Sequence, residues 1–545
     1  MFVWDNPVLQ RELLVNLRML RGFALLFLYQ ALLGIVVYCA WPQDTRLDLT
    51  ENPEAARKLV DLFFLGQYVL ASMMAPSFAA GSITGEKERK TYEMLLASPL
   101  RPWAIVFGKM VASLTHLAVL VFASLPIVML CLPLGGVSPY EVLAAYLGLI
   151  VSVITYGAIS IWCSSYFHHT AASLVVSYLL ILPLALCGVL VWQWLADYGS
   201  LRLVLALTAL PLAAAVICGG LLANTSARLL HPPDVGSEGK EVVDLEQEAQ
   251  AAVGLVIQRD QFPDRLFAPA KRVDLMEDGA NPVYDKEMRS EIFSQGTLML
   301  RLVIQVSMVL ALPLMAWCLY IRAEHATWYI SYVLLFNMLV GPVFSAGSIT
   351  SERERQTLDL LLTTTITPWR ILWGKLVAGL RVSSVLTLFL LWPALLACVM
   401  VPIYWSNLHR VAAYLAIVLM TCLTTGLIAL FNSVVFRKTS LSLMTSYLVV
   451  IVLFCTPLAL RFFAVEFFAA HPVATAVDWL GLTSPFSAVM AVPLNVELVQ
   501  TVAEESTQVD NWWLVAAFLA CYTLLNSALL LVMVWLFNVR WRVAG

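Results

Sequence analysis

Over 545 residues the chain is 60% hydrophobic and only 13% charged, and its mean hydropathy is +0.82. A soluble globular protein, with about a quarter of its residues charged, is thereby excluded. The formal net charge of −3 selects no partner by electrostatics, and no basic patch interleaved with aromatics points to nucleic acid.

A bilayer core takes about 20 apolar residues per helix. Read from the N-terminus, Asn6-Pro7-Val8 and Glu12 open a short amphipathic lead-in segment. Apolar spans then follow near 22–41, 59–82, 105–132, 142–164, 173–195 and 202–223. Residues 225–280 interrupt the pattern: His231-Pro232-Pro233-Asp234 is linker chemistry, and 242–257 reads as a short amphipathic helix. Asn281-Pro282-Val283 and Glu287 repeat the opening, and spans near 297–321, 328–349, 371–401, 411–434, 441–463 and 512–537 complete the chain. The expectation is an all-α polytopic membrane protein of about twelve transmembrane helices. Its parts are a first six-helix half (1–224), a connector (225–280) and a second six-helix half (281–545). Because six is even, the two repeats have parallel topology.

Positive charge near the spans sets orientation. Arg11, Arg18 and Arg21, Lys87, Arg89, Lys90 and Arg101, Arg353, Arg355 and Arg370, Arg437 and Lys438, and Arg540 and Arg542 all fall on one side when twelve helices are threaded. Both termini are therefore expected in the cytoplasm, although Arg46, Arg57, Lys58, Arg322 and Arg410 oppose the bias. The first apolar run is too long for a cleavable signal and lacks a small-residue cleavage site, so it reads as an anchor. The ten cysteines lie singly in or beside apolar spans, with no CxxC pair and no metal-ligand spacing, and read as packing residues.

The duplication is plainest between spans two and three. Residues 76–114 and 342–380 align without a gap and share 21 of 39 positions. Glu86 and Glu88 sit where carboxylates favour the positive end of a helix dipole, and Thr84 can cap that helix. In the second copy Ser351 and Glu354 have capping-box spacing. Pro102 and Pro368 end the loop helix, and Lys109 and Lys375 are placed to snorkel toward headgroups.

The pattern AGSIT-x-E-x-ER-x-T…LL…PW-x-I-x-x-GK, present twice, resembles the ABC-2-type permeases, the membrane subunits of one class of ABC exporter. The Asn-Pro-Val…Glu opening is similar to that family's amphipathic helix before span one. The resemblance implies a coupling helix at 84–99 and again at 350–365, docking on a separate cytoplasmic ATPase, with two halves engaging two copies. It implies an ATPase-coupling role for Thr84, Glu86, Glu88, Arg89 and Thr91, and for Thr350, Glu352, Glu354, Arg355 and Thr357. It also implies residence in the plasma membrane (the inner membrane of a bacterium). Short re-entrant helices before span six, common in that family, have room at 464–511 but not near 196–202.

No P-loop is present: Gly108-Lys109 and Gly374-Lys375 lack the upstream glycine and the following Ser or Thr. The chain is expected to be no enzyme and to hold no cofactor, ATP and Mg being bound by the partner. Two alternatives stand beside an exporter. One is an ion-gradient-driven secondary transporter, disfavoured by the sparsity of intramembrane carboxylates, with His116 the ionisable group to test. The other is an ATPase-coupled mechanotransducer or assembly factor without cargo.

Overall fold

A computed structural model describes residues 6–17, 53–131, 138–167, 170–195, 199–230, 281–289, 315–321, 326–354, 356–400, 407–437, 439–467, 479–492 and 511–541, with isolated helical positions between them. Every regular element among them is helical. The chain divides into two compact units, Met1–Glu248 and Ala249–Gly545. The boundary falls in the stretch read as a connector, of which 231–280 lies outside the described residues.

The first unit comprises α1 (Pro7–Leu17), α2 (Pro53–Ala79), α3 (Gly81–Glu88), α4 (Tyr92–Leu96), α5 (Pro102–Cys131), α6 (Pro139–Tyr166), α7 (Thr170–Trp194), α8 (Gly199–Val204) and α9 (Leu210–Leu230), the last two joined through a π-helical turn. The second comprises α10 (Pro282–Arg289), α11 (Ala326–Ala346), α12 (Thr350–Glu354), α13 (Leu358–Leu362), α14 (Pro368–Met400), α15 (Leu408–Val435), α16 (Thr439–Phe467), α17 (Pro485–Met490) and α18 (Trp512–Trp541).

Nine of the described helices are long and apolar enough to cross a membrane, and ten if the bent pair Pro102–Thr115 and Leu117–Met129 is one span. These ten coincide with ten of the twelve spans read from the sequence; of the other two, 22–41 lies mostly outside the described residues, and 297–321 is described chiefly in its last turns, Ala316–Ile321 being π-helical. Just before the 41° bend, Ser113 and Thr115 return hydrogen bonds to the carbonyls of Lys109 and Val111 at 2.5 and 2.6 Å. Such back-bonding bends helices. Each of three helices per unit has an internal proline, Pro76, Pro126 and Pro183 in α2, α5 and α7, and Pro342, Pro393 and Pro457 in α11, α14 and α16, the first two pairs at corresponding places.

Each unit is organised around one helix. In the first, α6 packs on α2, α5, α7 and α9; in the second, α15 packs on α11, α14, α16 and α18. Residues 156–161 of α6 and 424–430 of α15 are buried without a break. A helix apolar or small on every side belongs in such a centre. Lipid tails exert no hydrophobic drive between helices, so close approach of small residues and polar contacts hold them. Gly341 lies so near α15 that a Cβ there would run into Thr425 Oγ1. Cysteines join in: Cys218 Sγ lies 3.8 Å from Thr155 Oγ1, and Cys422 Sγ 3.5 Å from Ser383 Oγ.

Part of the 464–511 segment is described. Its short helix α17 is packed among α11, α15, α16 and α18. Phe486, Ala488 and Val489 are buried, and Pro485 starts the helix at a position where its missing N–H costs nothing. Ser484 Oγ donates to the Phe454 carbonyl at 2.7 Å, while the Tyr522 and Tyr414 hydroxyls donate to the carbonyls of Thr483 and Val492.

Gly341→Ala should lower the melting temperature in detergent by the equivalent of about 1–3 kcal/mol of overpacking. Gly66→Ala, on a helix surface with nothing within 4 Å of the added carbon, should leave it unchanged or higher. Equal melting of the two variants would show that the α11–α15 contact yields.

Candidate functional site

The repeated loop is two short helices in each unit rather than the single one expected over 84–99 and 350–365. The corner between them is a Schellman arrangement. Thr91 N–H donates to the Glu86 carbonyl and Arg89 N–H to that of Gly85, with Lys90 in the left-handed region at φ 57°. Thr357 N–H donates likewise to Glu352, with Gln356 at φ 58°. The same non-glycine strain thus recurs at the same position of both copies.

Thr84 and Thr350 are not caps. They lie inside or at the start of a helix that continues from the preceding span, fully buried, with hydroxyls donating to Ala80 and Ala346 at 2.9 and 3.0 Å. Their own N–H groups, with those of Ile83 and Ile349, converge on Ser164 Oγ (3.1 and 3.0 Å) and Ser433 Oγ (2.9 and 3.1 Å) near the ends of α6 and α15. Ser351 and Glu354 form no capping box; Glu354 reaches instead to the next span. There it accepts from the Thr439 N–H at 3.0 Å and the Thr439 hydroxyl at 2.8 Å, as Glu88 accepts from the Thr170 N–H at 2.7 Å. Meanwhile Lys87 donates to the carbonyls of Ser165 and Phe167 at 2.7 and 2.9 Å, and Arg353 to those of Val434 and Phe436 at 2.7 and 2.6 Å. A cation therefore sits on the C-terminus of α6 or α15 and an anion on the N-terminus of α7 or α16, each the favourable sign for a helix dipole.

At the centre of each corner is a buried lysine. Lys109 is 4% exposed and Lys375 2%, so neither snorkels as the sequence led one to expect. Lys109 Nζ lies 3.2 Å from Glu86 and 3.5 Å from Glu12 of α1. Lys375 Nζ lies 2.5 Å from Glu287 of α10, 2.8 Å from the Ser348 carbonyl and 3.5 Å from Glu352. The second carboxylate also meets Lys286 at 2.7 Å. Thr91 and Thr357 donate their hydroxyls to Glu86 and Glu352. The ammonium is shut from water while the carboxylates reach its edge, Glu12 being 31% and Glu287 25% exposed, so removing the carboxylates leaves an uncompensated buried charge.

The preceding glycine makes this possible. A Cβ at Gly108 would fall 2.8 Å from Asn6 Nδ2, and one at Gly374 2.8 Å from Asn281 Nδ2. Asn6 donates to the Ala104 carbonyl at 2.6 Å while its Oδ1 receives the Val8 N–H at 3.0 Å. Asn281 does the same with Arg370 (2.8 Å) and Val283 (3.1 Å). The asparagine caps the lead-in helix, Pro takes its first turn, and the cap is stitched to the next span. Sequence reasoning missed Ser164, Ser433, Asn6, Asn281, Glu12, Glu287, Lys109 and Lys375 as parts of one network. The echo of Asn-Pro-Val…Glu with Gly-Lys was the available signal, since each is repeated where the spans diverge.

What the corner presents outward is different. Arg89 and Glu93 are exposed, as is Asp359 at the second copy's position for Glu93; Arg355 lies outside the described residues. Met94 is 77% exposed and Leu360, its equivalent, 74%. Behind the tip, Leu358 is buried in a core with Val283, Ile349, Ile371 and Leu376.

Lys109→Met or Lys375→Met should lose about 3–5 kcal/mol of stability, two carboxylates then facing each other unneutralised. Adding Glu86→Gln to the first, or Glu352→Gln to the second, should recover part of it. Additive losses in chemical denaturation would refute the buried triad. Separately, Lys90→Gly and Gln356→Gly should hold stability or raise it, whereas Lys90→Val and Gln356→Val should each cost about 1–2 kcal/mol. Thermal unfolding of the four variants decides it.

No curated protein matches the chain. The sequence model of the family described as "ABC-2 family transporter protein" matches residues 7–200 and again 240–538. Those two stretches contain both lead-in helices, both corners and both buried lysines, and they cover most of the sequence. The chain belongs to the ABC-2 family of transporter proteins, as a multi-pass membrane component.

Proposed function

We propose that this chain is the permease subunit of an ATP-driven exporter, two permease halves in one polypeptide, worked by a separate cytoplasmic ABC ATPase at each repeated corner. ATP and Mg belong to that partner. The setting is the bacterial inner membrane with both termini in the cytoplasm. The observation that carries this reading is the pair of equivalent apolar tips, Met94 and Leu360, each standing out on a helix too short to stay folded alone and each backed by a corner tied to several helices. An exposed large apolar side chain flanked by charge is suited to a groove in a soluble partner.

Thr84, Glu86, Glu88, Arg89 and Thr91, with Thr350, Glu352, Glu354, Arg355 and Thr357, then share the coupling task in two ways. Arg89 belongs to the partner-facing side with Glu93, Met94, Asp359 and Leu360, and Arg355, outside the described residues, is assigned the same role by its place in the repeat. The others make the corner stiff: threonines and glutamates tie it to the ends of spans four and five, and the buried lysine ties it to the lead-in helix and span three. A push on the tip thus moves several helices together. Nucleotide must favour one arrangement of these helices over the other, because a ligand of equal affinity for both shifts nothing.

The test is affinity purification of the tagged chain from membranes of its own host, comparing wild type with Met94→Asp plus Leu360→Asp. Both substitutions are on exposed tips, so the variant should fold and reach the membrane as wild type does. An ATPase without membrane spans should accompany wild type, and its recovery should fall at least tenfold with the variant. If the wild-type chain elutes alone, ATPase coupling is wrong and gradient-driven transport takes its place. If the ATPase is retained by the variant, the tips are not its docking points.

A further inference from the structure

One corner of the first unit brings together two cations outside any ion pair among the described residues and two buried N–H donors without an acceptor. Arg228, near the end of α9, lies with its guanidinium carbon 3.7 Å above the ring centre of Tyr166, the last residue of α6. Its Nε is buried and without a hydrogen-bond partner. Trp162, whose ring centre is 5.1 Å from that of Tyr166, likewise has a buried Nε1 with no partner. Lys87 grips the carbonyls on either side of Tyr166. Among the described residues neither Lys87 nor Arg228 stands in an ion pair, whereas Lys109, Lys286 and Lys375 all do. Arg228 thus stacks on Tyr166, while Lys87 holds the backbone on either side of it and lies 5.6 Å from the ring centre of Tyr92. Glu88, beside Lys87 in the same loop, is engaged with the Thr170 N–H.

The second unit builds nothing of the kind. Aligning Ser164 with Ser433 puts Phe431 where the first unit has Trp162, and Val435 where it has Tyr166. The indole N–H and the tyrosine ring are therefore absent from the second corner, where Arg353 stands in place of Lys87 on the carbonyls. The cluster is an addition to the shared frame and not a part of it.

We infer that Lys87, Trp162, Tyr166 and Arg228 form a binding site for the phosphate of an anionic phospholipid headgroup. It lies in the leaflet on the face that carries the repeated loops. The ligand chemistry follows from what is missing: a small anion with several acceptor oxygens takes up two orphaned N–H donors and supplies the countercharge that Arg228 and the carbonyl-bound Lys87 lack. The source follows from position. Arg228 ends an apolar span, Arg202–Leu229, of which only 11% is buried inside the protein, so the headgroup layer of the bilayer is at hand while the acyl chains lie along α9. Basic pockets between helices at this level take anionic headgroups. The site is distinct from any cargo path. Because Lys87 belongs to the α3–α4 corner, a bound lipid bears on the first corner only.

Native mass spectrometry of the full-length chain, released from detergent with phosphatidylglycerol or phosphatidylcholine of the same acyl chains, tests this. Wild type should retain phosphatidylglycerol in preference. Arg228→Gln should weaken that retention about fivefold, the loss expected for one basic group at a membrane surface, with phosphatidylcholine unaffected. Trp162→Phe, which removes one N–H and keeps the ring, should weaken it less. Arg202→Gln, removing the cation 4.0 Å above Trp192 at the other end of the same span, should change nothing. Equal retention of both lipids by wild type would overturn the proposal, as would an Arg228→Gln variant that prefers phosphatidylglycerol unchanged. Inorganic phosphate forms the third arm. If it binds with the same Arg228 dependence while phosphatidylglycerol has no advantage, the ligand is soluble phosphate and the lipid assignment fails.

Discussion

A lysine ammonium held out of water between two carboxylates is costly to make and difficult to rearrange. Desolvating each ion costs several kcal/mol, and the attraction offsets this only when the geometry is good and the remaining lone pairs are used. Both corners meet those conditions. The threonine hydroxyl takes the second oxygen of the loop glutamate, the lead-in glutamate takes another face of the ammonium, and a further cation, Lys286, approaches in the second unit. Buried and little screened by salt, the triad fixes where three chain segments must meet. The asparagine cap, the glycine against it and the left-handed corner residue are all consequences of that meeting point.

The two copies repay comparison position by position. Five of the identical positions carry the corner's internal side-chain bonds, Thr84 and Thr350, Glu86 and Glu352, Glu88 and Glu354, Thr91 and Thr357, and Lys109 and Lys375, and Gly108 and Gly374 clear the space for the asparagine. Positions that merely keep their character point outward or need only a class of atom. Lys87 and Arg353 both cap carbonyls, Glu93 and Asp359 are both exposed acids, and Met94 and Leu360 are both exposed apolar tips. Internal geometry demands an atom at a point, whereas a partner's groove tolerates a shape. The corner's own construction accordingly explains part of the identity of the repeat, and on the proposed reading the exposed tips are what a partner would meet.

The membrane spans were legible because a bilayer imposes length and apolarity on each one separately, and ten of the twelve stretches read from the sequence coincide with described helices. The position of the loop was legible from its repetition. Its shape was not. Thr84 and Glu86 look like caps on a linear reading, because capping chemistry and burial chemistry use the same residue types. Only the tertiary partner, Ser164 for the first and Lys109 for the second, decides between them. Lys109 and Lys375 were misplaced for a related reason. A lysine at a span's end snorkels unless an acid arrives from another segment, and here that segment is a helix nearly a hundred residues away. The Schellman corner was hidden because neither Lys90 nor Gln356 is the glycine that usually marks one.

Around a shared frame the units differ, and the differences lie at opposite ends. The second unit tucks α17 among four long helices, held by Ser484, Tyr414 and Tyr522 through backbone carbonyls. In the first, the chain runs from Trp194 to Gly199 with no room for such an element. The first unit instead has the cation–aromatic group at Arg228, on the side of the repeated loops. On the exporter reading, identical corners allow two like ATPase subunits to act in the same way on both units. Unequal far ends then mean that equal pushes need not produce equal displacements. A fused pair, unlike a homodimer, can fix such an inequality in its sequence: each copy is free to vary wherever the buried triad does not hold it.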